Sequence, residues 1–187
     1  IHHPVFIKLK QILKSRLIGN VLQVQSSFKI PLNQKKNFRF NKNLGGGALY
    51  DVGFYPISLM FTLFNSKKIK IMNSKILKEE GLDIKGDIIA ENEKKIIFNL
   101  AWAFKSPYEN KVKIIGKQGV IDVDFIFSKS IIQNAKIYIK KKNKKIIKIK
   151  KSNQINLAFN DLISSSQKDF YKKSEISLQI LKTIENL

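Results

Sequence analysis

Ile96-Ile97-Phe98-Asn99-Leu100-Ala101-Trp102-Ala103-Phe104 alternates with a period of two. Successive side chains of a strand point to opposite faces of its sheet. Ile96, Phe98, Leu100, Trp102 and Phe104 therefore share one face, and Ile97, Asn99, Ala101 and Ala103 the other. The first face is bulky and has to be buried. The second is small and mostly apolar, so it too is expected to be covered, either by another subunit or by helices of the same chain.

Strand patterns continue on both sides of this segment. Residues 69–77 and 88–91 precede it, with a turn region over 81–86 and a hairpin around Asn92-Glu93-Lys94-Lys95. Residues 112–115, 120–127 and a hairpin over 136–150, turning near Asn143, follow it. No helical pattern interrupts the series, which predicts a largely antiparallel sheet and the α+β class. Ahead of it, Pro4 suits the first turn of a helix that carries Val5, Phe6, Leu9, Ile12 and Leu13 at helical spacing to about Arg16. Gly19-Asn20 ends that helix, and Leu22, Val24, Ser26, Phe28 and Ile30 alternate as a strand. A polar loop over 31–43 leads to an apolar, helix-like stretch over 48–64, with Pro56 as its expected point of distortion. Helices over 155–165 and 174–186 close the chain. With no internal repeat and no linker, residues 1–187 read as a single domain.

Composition narrows the function classes. A 43% apolar content over 187 residues is ample for a packed core. The absence of cysteine removes disulfides, thiol nucleophiles and cysteine-ligated zinc, fits a reducing, cytoplasmic setting, and leaves no metal expected. No apolar run approaches the roughly 18 residues of a membrane span, and no signal peptide is visible. A first residue of Ile1 is read as a fragment whose N-terminus lies upstream. The net charge of +21 is carried almost wholly by lysine, with Arg16 and Arg39 the two arginines. Nucleic-acid surfaces lean on the arginine fork, so this charge is read as a solvated lysine surface and not as a nucleic-acid site. The densest run, 140–151, sits among Ile137, Ile139, Ile147 and Ile149, as a strand with one wet face would.

Gly45-Gly46-Gly47-Ala48-Leu49-Tyr50-Asp51-Val52-Gly53-Phe54-Tyr55-Pro56 carries the chemistry. The glycines permit a tight turn and close approach. On a helix running from Ala48, Asp51 and Tyr55 are four apart and share a face. An acid beside a phenol suits the placement of a sugar hydroxyl and the movement of its proton. Such a pair is also an ordinary structural contact.

Asn37-Phe38-Arg39-Phe40, followed by the run from Leu44 to Ile57, resembles the signature of the glucose–fructose oxidoreductase/inositol dehydrogenase (Gfo/Idh/MocA) family. His3-Pro4 leading into the first helix, the Gly81-Leu82-Asp83 turn, strands ending near Trp102, the 114–121 segment and the closing helix pair are similar to that family too. The Asp51-to-Tyr55 form resembles its dihydrodiol and xylose dehydrogenase branch. The resemblance implies an open, mainly antiparallel sheet with helices packed on one face, as in the C-terminal domain of glyceraldehyde-3-phosphate dehydrogenase. It implies a sugar, polyol or related substrate, NAD or NADP as cofactor, and a homo-oligomer formed through the sheet face. Tyr55 is then the acid/base or hydroxyl ligand and Asp51 its partner. His3 belongs to the substrate side near the pocket entrance, and Arg39 near the substrate, the cofactor or an interface. The family's N-terminal Rossmann domain, with its dinucleotide loop and catalytic lysine, is absent from this chain. The glycine triplet lacks the G-x-G-x-x-G spacing that would replace it. The isolated chain is thus expected to be inactive. A non-catalytic oligomerisation module and a basic interaction module remain as alternatives.

Overall fold

The computed structural model describes residues 3–32, 37–127 and 134–187. Helix α1 (Pro4–Lys14) leads into strand β1 (Val21–Lys29). Two short 3₁₀ turns, Phe38–Phe40 and Lys42–Leu44, precede a helix that starts at Ala48. Its first part is a π turn (Leu49–Gly53), and its α-helical body is α2 (Phe54–Thr62). Strands β2 (Ile69–Glu79), β3 (Leu82–Asn92), β4 (Ile97–Ala103), β5 (Glu109–Gly116), β6 (Gly119–Asp124), β7 (Ala135–Lys140) and β8 (Lys144–Ile149) follow. Helices α3 (Gln154–Ser164) and α4 (Gln167–Glu185) end the chain. The α+β class with an open, mainly antiparallel sheet holds.

The eight strands form one sheet in the order β2-β3-β4-β1-β5-β6-β7-β8. Every pairing is antiparallel except β1 with β4, where Val24 lies against Phe98 and Phe28 against Trp102. That one parallel contact arises because β1, first in sequence, is inserted between strands that come much later. α2 packs on β1 and β4, α1 on β7, and α4 on α2, so the helices lie on one side of the sheet. Phe98, Leu100 and Trp102 are almost fully buried beneath them. Among the described residues, no helix is long and apolar enough to cross a membrane.

The opposite face is less closely covered. Ile97, Asn99 and Ala101 are only half-buried, whereas Ala103 on the same face is buried. The same face carries a groove lined by Gln25, Ser27, Asn99, Ala101, Lys111 and Asp124. Ile97, Asn99 and Ala101 are thus more open than a face covered by the chain's own helices would be.

Three boundaries also move. The expected turn over 81–86 is confined to Glu80 and Gly81, and β3 begins at Leu82. Gly86 belongs to that strand because it pairs directly with Trp102, whose ring fills the space a Cβ would need. The expected strand over 120–127 stops at Asp124, where Phe125 turns into the left-handed region at φ 56°. The last helix begins at Gln167, capped by the Ser166 hydroxyl, earlier than the expected 174. Its first turns are exposed, so they show no apolar period to read.

Candidate functional site

The site is built around the start of the helix that becomes α2. Pro56 has no N–H to give to the carbonyl of Val52, and the ladder widens into the π turn immediately before it. Trp102 fits against this turn: a Cβ on Gly53 would stand 2.9 Å from the indole. The glycines ahead of it are held equally closely. Gly46 N–H donates to the Asn41 carbonyl (2.9 Å) and Gly47 N–H to the Arg39 carbonyl (2.9 Å). Gly47 takes φ +126°, open to glycine alone at low cost, and passes against the Asp83 carboxylate.

Asp83 was read from sequence only as part of a turn. It instead reaches from β3 to the helix start, where the Leu49 N–H donates to its Oδ2 at 2.6 Å. Burial pushes its carboxyl above the ordinary range, while backbone hydrogen bonds from Leu49 and Ala48 oppose that push. This helix terminus is therefore already capped by a carboxyl group of the chain itself. The glycine triplet does not fit the phosphates of a dinucleotide, because its three N–H groups donate within the chain and the space over Gly46 and Gly47 is taken by Arg39, Asn41 and Asp83.

The sequence-derived residues fall into two adjoining pairs. Arg39 Nε donates to Asp51 Oδ2 at 2.6 Å, with both side chains about one-third exposed. The Arg39 guanidinium also lies 4.7 Å from the Phe38 ring centre. His3 and Tyr55 line a common cavity of about 420 Å³ with Ile126 and Phe127. Much of its lining comes from α3, chiefly Ile155 and Phe159. His3 is 3% exposed, so it is no ordinary surface residue. Its Nδ1 accepts from the Val5 N–H at 3.0 Å, capping α1.

Asp51 and Tyr55 are coupled through charge and share no hydrogen bond among those described. Burial pushes the Tyr55 hydroxyl above the ordinary phenol range, the Asp51 charge adds to it, and Arg39 partly offsets it. The phenol thus stays protonated at neutral pH and is a donor. Its ring is held edge-on to Phe28 (5.1 Å between centroids) and beside Phe127 (5.7 Å). Neither Phe28 nor Phe127 was a candidate from sequence. Phe28 was legible only as a core residue of β1, and Phe127 only as the end of a strand. No group of three or more metal-ligating side chains occurs among the described residues.

A family model for the GFO/IDH/MocA C-terminal domain matches residues 6–122. The chain belongs to that family. It is 28% identical over 143 residues to a dTDP-3,4-didehydro-2,6-dideoxy-alpha-D-glucose 3-reductase from Saccharopolyspora spinosa, covering 76% of this chain and 43% of that protein. It is 30% identical over 136 residues to a trans-1,2-dihydrobenzene-1,2-diol dehydrogenase from Xenopus laevis, covering 71% and 41%. The fold superposes with a TM-score of 0.91 on a 3-ketoreductase from Actinomadura kijaniata solved in complex with NADP and TDP-benzene. That match is 18% identical and covers 100% of this chain and 58% of the other. An aldose-aldose oxidoreductase from Caulobacter crescentus, complexed with glycerol, gives 0.75 at 16% identity, covering 98% and 59%. The matched part of the chain thus spans about two-fifths of the curated relatives' length.

Proposed function

We propose that this chain is the substrate-side domain of a cytoplasmic, NAD(P)-dependent oxidoreductase acting on a sugar, polyol or related hydroxyl or carbonyl compound. The nicotinamide nucleotide is assigned to a partner Rossmann domain, since the backbone donors of the glycine-rich helix start here are already used within the chain. One observation carries the reading: the Tyr55 phenol, kept protonated by its surroundings, shares a largely apolar cavity with His3. The relatives support the substrate class, as they include a sugar-nucleotide reductase and a dihydrodiol dehydrogenase.

In this reading Tyr55 donates to the substrate oxygen and supplies its proton as a carbonyl becomes an alcohol, or accepts that proton in reverse. Asp51, anchored by Arg39, sets the field around the phenol. His3 contacts the substrate from the lining of the same cavity. The test uses the chain joined to its upstream domain. Tyr55→Phe is expected to lower turnover about 10²–10⁴-fold with the melting temperature nearly unchanged. Near-wild-type turnover per folded molecule would return Tyr55 to a structural role.

The more open sheet face supports self-association through the strands around Ala101. Light scattering at micromolar concentration is expected to show a homo-oligomer that Ala101→Lys dissociates. A strict monomer in the unaltered chain would remove this part of the proposal.

A further inference from the structure

The loop after β6 contains a backbone outlier. Phe125 stands at φ 56°, a conformation that a bulky side chain adopts only when its surroundings impose it. Asn110, second residue of β5 and 4% exposed, imposes it. Its backbone carbonyl accepts from the Phe125 N–H at 2.7 Å, and its side-chain Oδ1 accepts from the Phe127 N–H at 3.1 Å. Its Nδ2 donates to the Tyr108 hydroxyl at 3.1 Å. One buried residue thus holds both ends of a three-residue kink, the Phe125 end through its backbone and the Phe127 end through its side chain.

The kink ends against the site. Phe127 lies 5.6 Å from Phe28 and 5.7 Å from Tyr55 between ring centroids, and it lines the cavity shared by Tyr55 and His3. Phe28 faces Asn110 directly in the β1–β5 ladder, so the same residue that bends the loop also sits across from the ring that meets Tyr55 edge-on. Tyr108 completes the group, lying against Phe125 and edge-on to Phe28. The rings of Tyr55, Phe28 and Phe127 form a mutually contacting triangle, so Phe28 and Phe127 together make one aromatic wall against the phenol. Phe28 is fixed by its strand. Phe127 lies past the strand's end and is placed by the Asn110 clamp.

We propose that Asn110 is a positioning residue for Tyr55, acting through the left-handed kink at Phe125 to seat Phe127 as the aromatic wall that orients the phenol and bounds the substrate cavity. The inference deepens the reading of Tyr55 as the group that meets substrate. Its first test does not depend on that reading. The phenol titration of Tyr55, obtained by difference from Tyr55→Phe in this chain, is compared with Asn110→Ala and with Phe127→Leu. The charged and titratable groups facing Tyr55 are Asp51 on its own helix, Arg39 from the 3₁₀ turn, His3 in the shared cavity and Tyr108 in the aromatic group. Phe127→Leu alters none of these, so a change in that variant reports the wall, whereas Asn110→Ala also removes the hydrogen bond to the Tyr108 hydroxyl.

Both variants are expected to move the Tyr55 midpoint down toward the ordinary phenol value, because the wall excludes water from the hydroxyl. Phe127→Leu keeps apolar bulk on a partly exposed loop, so it tests the wall even where Asn110→Ala fails to fold. In the chain joined to its upstream domain, both should lower kcat on the order of tenfold or more, with a smaller change in KM, as misorientation of a reacting group does. An unchanged Tyr55 titration in folded Phe127→Leu overturns the proposal. A shifted titration together with full activity in Tyr55→Phe keeps the wall and discards the oxidoreductase role of Tyr55.

Discussion

Helices α2 and α3 are both rich in apolar residues, yet they are used in opposite ways. α2 buries six of its nine residues against the sheet and α4. α3 buries none of its eleven, and Ile155, Phe159 and Ile163 are 62%, 60% and 81% exposed. Both line the cavity, where Tyr55 stands at the first turn of α2 and α3 supplies much of the lining. The difference separates scaffold from wall. One side of the site is fixed by the core of this chain. The other is supplied by a helix that draws little stability from that core, since an isolated helix of this length is marginal in water.

The contrast predicts a graded set of effects in chemical denaturation of this chain. Leu59→Ala, at 1% exposure in α2, should cost about 2–5 kcal/mol through lost burial and a residual cavity. Gly53→Ala should follow at about 1–3 kcal/mol, because the added methyl meets the Trp102 indole and neither the turn nor the ring has room to yield. A cost near zero there would mean that the π turn is looser than its contacts indicate.

A smaller, pH-dependent effect belongs to the more open sheet face. Burial resists ionisation of Glu109, but hydrogen bonds from Lys111, Ser27 and Lys29 outweigh it and hold the carboxyl down at about 2, from an ordinary 4.5. A carboxyl lowered on folding stabilises the native state above its unfolded value, and that contribution is lost as pH falls through the folded one. The melting temperature should therefore drop between about pH 4.5 and 2, and Glu109→Gln should flatten part of that slope. An identical slope in the variant would remove Glu109 as a source. The smallest effect is expected for Leu162→Ala in α3, within about 0.5 kcal/mol, as for exposed positions generally. A cost matching that of Leu59→Ala would erase the distinction between the two helices.

How much of this was legible beforehand depends on the range of each interaction. The α+β class, the strand series and the hairpins at residues 92–95 and near Asn143 could be read because a period of two is written in neighbouring residues. Asp51 and Tyr55 could be singled out because their four-residue spacing survives on any helix. The insertion of β1 beside β4 could not, since nothing local in Leu22 to Ile30 names its neighbours. Nor could the boundary at Gly86, whose meaning depends on Trp102 across the ladder.

By itself, then, the sequence determined which residues alternate, where the polypeptide bends most easily, and that an acid and a phenol share one helix near three glycines. Only the tertiary structure decided that Asp83 caps that helix from 34 residues away, and that Asn110 holds Phe127 from 17 residues away. It also decided that His3, at one end of the chain, lines a single cavity with α3 from near the other. The physical reason is that strand and helix periods follow from the backbone's own geometry, whereas a capping carboxylate or a clamped loop exists only once distant segments are packed together.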